Sequence, residues 1–164
     1  MLSIFPCHIM VRQFTHPGIV GGVAFPIAGG AGHTLAVPVE LGFYSHIRNH
    51  DGLFLNSGIA YTYQFDIGFE LSARLPAGAL ITLTNVPVYS VEQGQVSELP
   101  GQACVKFMPL FELEAGWDLN RISLPFCINI GFQTFGEYLF NTYMLLHLAV
   151  RAGVSFDPTF GGKI

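Results

Sequence analysis

The stretch LFLNSGIAYTYQFDIGFEL, Leu53 to Leu71, decides how this chain is read. Its odd positions are Leu53, Leu55, Ser57, Ile59, Tyr61, Tyr63, Phe65, Ile67, Phe69 and Leu71. From Asn56 onward its even positions are Asn56, Gly58, Ala60, Thr62, Gln64, Asp66, Gly68 and Glu70. Successive side chains of a strand point to opposite faces, so a period of two is a strand signal, and helical spacing does not fit it. The even face carries small and polar residues where a water-facing sheet would carry Lys, Glu and Arg. The stretch is long for one crossing of a bilayer, which takes about 9 to 11 tilted residues. It is either a strand that extends beyond the bilayer or two strands joined by a turn near Asp66 to Gly68.

The same pattern recurs on both sides. In Leu35 to Ile47 the odd positions are Leu35, Val37, Val39, Leu41, Phe43, Ser45 and Ile47, alternating with Ala36, Pro38, Glu40, Gly42, Tyr44 and His46. In Ile122 to Phe132 the even positions are all large and apolar, and Ser123, Pro125, Cys127, Asn129 and Gly131 lie between them. Thr142 to Phe156 repeats this after Thr142, with His147, Ala149, Arg151, Gly153 and Ser155 on the second face. Ile19 to Ile27, Ala79 to Val91 and Val105 to Trp117 follow less cleanly. Turns are expected at Gly29 to Gly32, Asn49 to Gly52, Pro76 to Gly78, Asp118 to Asn120 and Gly136-Glu137, with a longer loop from Glu92 to Gly101. This gives seven strands. An eighth comes from dividing Leu53 to Leu71, from Ile4 to Phe14, or from upstream sequence. At about 20 residues per strand and turn, a chain of this length corresponds to about eight strands.

Composition narrows the class. Of 164 residues, 51% are hydrophobic and 11% charged, the formal net charge is -4, and the mean hydropathy is +0.47. Such apolar and aromatic content excludes disorder. Nineteen Gly and ten Pro exclude a coiled coil. The acidic balance without a basic cluster argues against nucleic acid as a partner. A spanning helix needs about 20 consecutive apolar residues. Pro17 to Gly32 is too rich in Gly, and Thr142 to Val150 is too short. Only helices and closed barrels satisfy their own backbone in lipid. Large residues alternating with small uncharged ones therefore suggest a barrel with its apolar face outward and a polar lumen.

The segments LAVPVELGFYSHI, AGWDLNRISLPFCINIGFQTF and LLHLAVRAGVSF resemble the transmembrane hairpins of the bacterial outer-membrane β-barrel superfamily. The resemblance spans residues 17–157. It implies an all-β, antiparallel up-and-down transmembrane β-barrel of about eight strands in an outer membrane, with the lipid bilayer and the barrel-assembly machinery as partners. Residues 1–16 are then an N-terminal segment, as a partial strand or remnant, 17–157 the barrel and 158–164 a tail. MLSIFPCHIMVRQFTH does not read as a signal peptide. No basic residue precedes its apolar part, and Pro6, His8 and Arg12 interrupt it.

Charges inside a narrow barrel must be paired, because isolated burial is costly. Glu40, Glu70, Lys106, Glu112, His147 and Arg151 are expected to form a polar cluster that plugs the lumen, with Asp66 and Glu114 as further candidates. Phe43, Tyr63, Trp117, Phe135, Tyr138 and Tyr143 fall near strand ends and are expected at the bilayer interfaces. No catalytic, cofactor-binding or metal-binding residue is assigned, and the chain is not expected to be an enzyme. Cys7, Cys104 and Cys127 lack zinc-site spacing. Ser45, His46 and Asp51 are the only local hydrolase candidate, and adjacent strand residues face opposite ways. The expected role is structural, or interaction with a partner through the loop Val91 to Gly101. The alternatives are a pore within a larger barrel or oligomer, and a soluble lipocalin-like barrel with its large residues inside. The outward or inward orientation of Leu41, Tyr61, Phe69, Phe126 and Leu148 separates membrane from soluble readings.

Overall fold

A computed structural model describes residues 2–5, 17–46, 50–84, 88–92, 95–99, 103–140 and 143–156. The strands are β1 (Leu2–Phe5), β2 (Gly18–Gly30), β3 (His33–His46), β4 (His50–Gln64), β5 (Phe69–Thr84), β6 (Val88–Glu92), β7 (Gln95–Leu99), β8 (Ala103–Asp118), β9 (Phe126–Phe140) and β10 (Tyr143–Phe156). No helix among the described residues is long and apolar enough to cross a membrane. Apart from the 3-10 turn at Leu119–Ile122, the regular structure among the described residues is β.

Eight strands belong to one antiparallel sheet with the neighbour order β1-β10-β9-β8-β5-β4-β3-β2. The seven long strands follow one another up and down, and β6 with β7 forms a separate hairpin between β5 and β8. The four residues of β1 pair with Val20 to Val23 of β2 on one side, and Leu2 to Ile4 pair with Val154 to Phe156 of β10 on the other. The sheet curls strongly: Arg151 on β10 reaches Glu40 on β3 at 3.1 Å, although these strands are not paired.

Leu53 to Leu71 is two strands. Phe65 N donates to Phe69 O at 2.8 Å and Gly68 N to Phe65 O at 2.9 Å. Gly68 holds φ 87°, a left-handed conformation that glycine adopts without Cβ strain. Three expected turns are corrected. Pro76 to Gly78 lies inside β5. Pro76 sits where the β5–β8 register skips from Arg74↔Glu112 to Ala77↔Pro109, so its missing N–H interrupts the ladder locally without ending the strand. Gly136-Glu137 lies inside β9. There a Cβ on Gly136 would fall 2.7 Å from Met144 Sδ, so glycine admits a side chain that crosses over it. In the expected Asn49 to Gly52 turn, His50 already opens β4, and residues 47–49 lie outside the described set. The expected loop Glu92 to Gly101 contains part of the β6–β7 hairpin. Within the N-terminal segment β1 is a strand, while 6–16 and the tail 158–164 lie outside the described residues.

The sheet is inverted relative to a water-soluble core. Leu41, Leu55, Ile130 and Leu148 are 56%, 55%, 59% and 65% exposed, while Glu40, Glu112, Glu137 and Arg151 are buried. Tyr61 and Phe126 are also exposed, and Phe69 is half-buried. The alternation set this outcome: on β4, β8, β9 and β10 most large apolar residues fall on the parity that points away from the interior.

Candidate functional site

The interior is stratified along the strands. At the end where β3 meets β4, the carboxylate of Glu137 (β9) takes hydrogen bonds from three other strands and lies within ion-pair distance of a fourth. Its Oε1 accepts a 2.7 Å hydrogen bond from the Tyr44 hydroxyl (β3). The same oxygen lies 3.0 Å from His50 Nε2 (β4) and 3.0 Å from His147 Nε2 (β10). Its Oε2 accepts from Lys106 Nζ (β8) at 2.8 Å. The rings of His46 and His50 stack at 5.6 Å, and Phe135 stacks on His147 at 4.7 Å. Glu137 is completely buried. Lys106 supplies the opposite charge that such a carboxylate requires, and the Tyr44 phenol and the His50 imidazole add hydrogen bonds to its Oε1.

Beneath it lies an apolar layer of Val20, Tyr44, Phe54, Leu80, Met108 and Leu110, with Phe135 packed against it. Two cross-strand pairs give the rings room. Gly42 faces Phe54, and Gly52 faces Tyr44. A Cβ on Gly42 would strike the Phe54 ring, and one on Gly52 the Tyr44 ring. The missing side chains are the space the rings fill, so these aromatics turn inward although their strands send other large residues outward.

Next comes an ion-pair network. Arg151 Nη1 donates to Glu112 Oε2 at 2.7 Å and its Nη2 to Glu40 Oε1 at 3.1 Å. Arg74 Nη2 (β5) donates to Glu114 Oε1 (β8) at 2.6 Å and its Nη1 to Glu40 Oε1 at 3.3 Å. Glu40 therefore lies between two guanidiniums, and the network ties β3, β5, β8 and β10 together. Planar guanidiniums suit this role because each can serve two carboxylates at once.

Beyond the network, toward the end carrying the Asp66 to Gly68 turn, is a cavity of about 580 Å³. Its walls include Thr34, Thr62, Ser72, Asn129 and Ser155. Glu70 is there rather than in either charged cluster, accepting a long 3.6 Å contact from Cys127 Sγ. Thr62 and Ser72 hydroxyls pair at 2.7 Å. Gln64 Nε2 donates to Asp118 Oδ2 at 3.0 Å near the mouth.

Of the six residues expected in one polar cluster, Glu40, Glu112 and Arg151 meet in the ion-pair network. Lys106 and His147 meet at Glu137, and Glu70 lines the cavity. Arg74, Glu137, His50 and Tyr44 join these clusters without having been expected there. The signal was present for three of them. Arg74 shares parity with Glu70 and Ser72, Glu137 with Asn129, Gly131 and Gln133, and His50 with Phe54 and Asn56. Asp66 is exposed in its turn. Of the expected interfacial aromatics, Phe43, Trp117 and Tyr138 are exposed on the outer face. Tyr63 is half-buried beside Phe65, at 4.6 Å between rings. Phe135 is a correction: it shares parity with Gln133 and Glu137 and packs inside. Tyr143 opens β10, and its side chain lies outside the described set. An aromatic series continues around this end through Phe65–Phe69 at 5.7 Å and Phe69–Trp117 at 6.3 Å.

Ser45 pairs across from Asp51, and His46 belongs to the other face of β3 and stacks on His50. Cys104 and Cys127 are free thiols, and Cys7 lies outside the described residues. Among the described residues no group of three or more His, Cys, Asp or Glu is placed to hold a metal ion. In comparisons with known proteins, no family model, no curated protein and no solved structure matches this chain.

Proposed function

We propose that this chain is an integral outer-membrane β-barrel of the bacterial type, closed through β1, with a structural or surface-interaction role and a lumen plugged by its own side chains. The observation that carries the reading is the inversion of polarity. Large aliphatic and aromatic residues cover the outside, while Glu40, Glu112, Glu114, Glu137, Lys106 and Arg151 are among the buried residues. In water such an exterior would be an aggregation surface far larger than the apolar patches monomers tolerate. In lipid it is the required surface.

Dimensions support it. On β8 the outward series from Val105 to Trp117 contains Phe107, Phe111 and Leu113, all exposed. At about 3.3 Å per residue and a tilt of about 40°, that run rises about 30 Å, enough for an apolar band of about 25 Å. Tyr63, Phe65, Phe69 and Trp117 gather near one end, where amphipathic rings favour an interface. The hairpin β6–β7 projects the opposite end's longest connection and is the candidate contact for a surface partner. The Glu137 cluster, the apolar layer and the arginine network together fill the bore, which favours a plugged barrel over a pore.

Refolding tests this. Urea-denatured protein diluted into detergent micelles or liposomes is expected to gain strand circular dichroism, to migrate differently on gels with and without boiling, and to resist carbonate extraction. Planar-bilayer recordings are expected to show no steady conductance. A monodisperse protein with the same dichroism in detergent-free buffer would sink the membrane reading, and a stable single-molecule conductance would replace the plug with a pore.

A further inference from the structure

We propose that the three carboxylates of the ion-pair network share one bound proton, which makes the interior a pH-sensitive lock that weakens in alkali. The inference rests on the interior geometry and holds whatever surrounds the outer face. Glu40, Glu112 and Glu114 are 3%, 0% and 7% exposed. Two guanidiniums serve them, those of Arg74 and Arg151. Among the described residues no other cation lies within ion-pair distance of these carboxylates. Lys106 is engaged by Glu137 at 2.8 Å, on the far side of the apolar layer. With all three acids ionised, the network would hold one negative charge in excess. Neutral donors do not make up the difference. Asn56, across from Glu40 in the β3–β4 register, is 1% exposed, and its amide nitrogen donates to none of them. Glu112 Oε1 is buried and accepts no hydrogen bond.

A carboxylate taken out of water without a compensating charge neutralises by binding a proton. Glu137 shows the contrast, because one lysine balances that one acid. Here three acids face two bases, and one proton closes the count. It belongs to the set, since the three carboxyl groups are coupled through the same two guanidiniums. Glu112 contributes the oxygen that no donor stabilises as an anion. The strands packed around the network bring no base to its level. β2 and β4 face Glu40 with Gly22 and Asn56, and β9 faces Glu112 and Glu114 with Gln133 and Gly131. Glu70 lies farther along, beside Cys127, and a carboxylate there adds to the excess. The proton comes from bulk water as the strands close and returns to it when the network opens. The folded chain then binds one proton more than the unfolded chain at neutral pH, so stability falls as pH rises.

The test uses the refolded full chain and urea unfolding between about pH 6 and about pH 8. Glu112→Gln replaces one acid by a neutral isostere and should move the midpoint at about pH 7 by less than about 0.5 M. Relative to that variant, the wild-type midpoint should fall by about 0.7 M per pH unit, the effect of one linked proton at an ordinary urea slope. Infrared difference spectra at neutral pH, wild type against Glu112→Gln, should show one protonated-carboxyl C=O band that shifts down in heavy water. The band should survive Glu70→Gln. The proposal is overturned by absence of the band from the wild-type chain, or by pH slopes that are the same in both proteins. A wild-type midpoint that follows sodium concentration instead of pH would also overturn it, by putting a metal cation in the proton's place. A fall of about 2 M on Glu112→Gln, as for a broken buried ion pair, would show that all three acids are ionised. Should Glu112→Gln fail to refold, the wild-type band and Glu114→Gln carry the same test. If the chain proves soluble without detergent, the membrane reading falls and these measurements proceed unchanged.

Discussion

Arg151→Met is the sharpest probe of the interior. The guanidinium is buried and contacts Glu112 Oε2 at 2.7 Å and both oxygens of Glu40 at 3.1 and 3.4 Å. Methionine fills much of the same volume but donates nothing, so Glu112 loses this short bond and Glu40 keeps only Arg74. Hydrogen bonds to charged groups contribute about 1.5 to 3 kcal/mol each, and removing one partner of a buried pair costs about 3 to 5 kcal/mol. We expect about 4 kcal/mol of destabilisation. With a urea slope of about 2 kcal/mol/M, the unfolding midpoint in liposomes should fall by about 2 M. The double variant Arg151→Met with Glu112→Gln should recover part of that loss, because the orphaned charge is gone. The measurement is equilibrium urea unfolding followed by tryptophan fluorescence, with Trp117 as the only reporter. A single-variant loss under about 1 kcal/mol, the scale of an exposed pair, would show that water reaches these groups and would refute the plug.

Leu148→Arg tests the outer face. Leu148 is exposed near the middle of β10, so in a bilayer the substitution should cost about 2 to 4 kcal/mol. At a water-exposed site it should stay within about 0.5 kcal/mol, and unfolding in liposomes distinguishes the two. Phe54→Ala leaves the space above Gly42 unfilled and should cost about 3 to 5 kcal/mol. Adding Gly42→Val should restore part of it, and no recovery would mean that the ring does not fill that space. Glu137→Gln removes the counter-charge of Lys106 and should lower stability by about 3 kcal/mol. Adding Lys106→Met should recover part of the loss, and a further drop would show that the pair is not coupled.

Legibility in the sequence followed distance along the chain. Alternation is local, so inward and outward sets were readable wherever it ran unbroken, as in Met144 to Phe156. It failed at Gly136-Glu137 and Pro76 to Gly78, where turn-forming residues occupy strand interiors. Gly136 is there because Met144 crosses over it, and Pro76 because the β5–β8 ladder skips it. Both reasons lie on the neighbouring strand. Phe135 failed for a related reason: an aromatic near a strand end suits an interface, but its parity and the His147 ring opposite it draw it inside.

The residue types along the chain fixed that it forms β-strands, that each strand has a large-residue face and a small or polar one, and that several charges must share an interior. Those properties come from the backbone geometry of a strand, which any single segment displays. Which charges meet was settled by folding. Strand order and register bring Arg74 to Glu114, Arg151 to Glu40 and Tyr44, His50 and Lys106 to Glu137 from positions up to 93 residues apart. The curl of the sheet divides the interior into two ionic layers, an apolar layer between them and a cavity. A one-dimensional pattern of faces carries no information about register between distant strands, and the register determines which carboxylate each guanidinium finds.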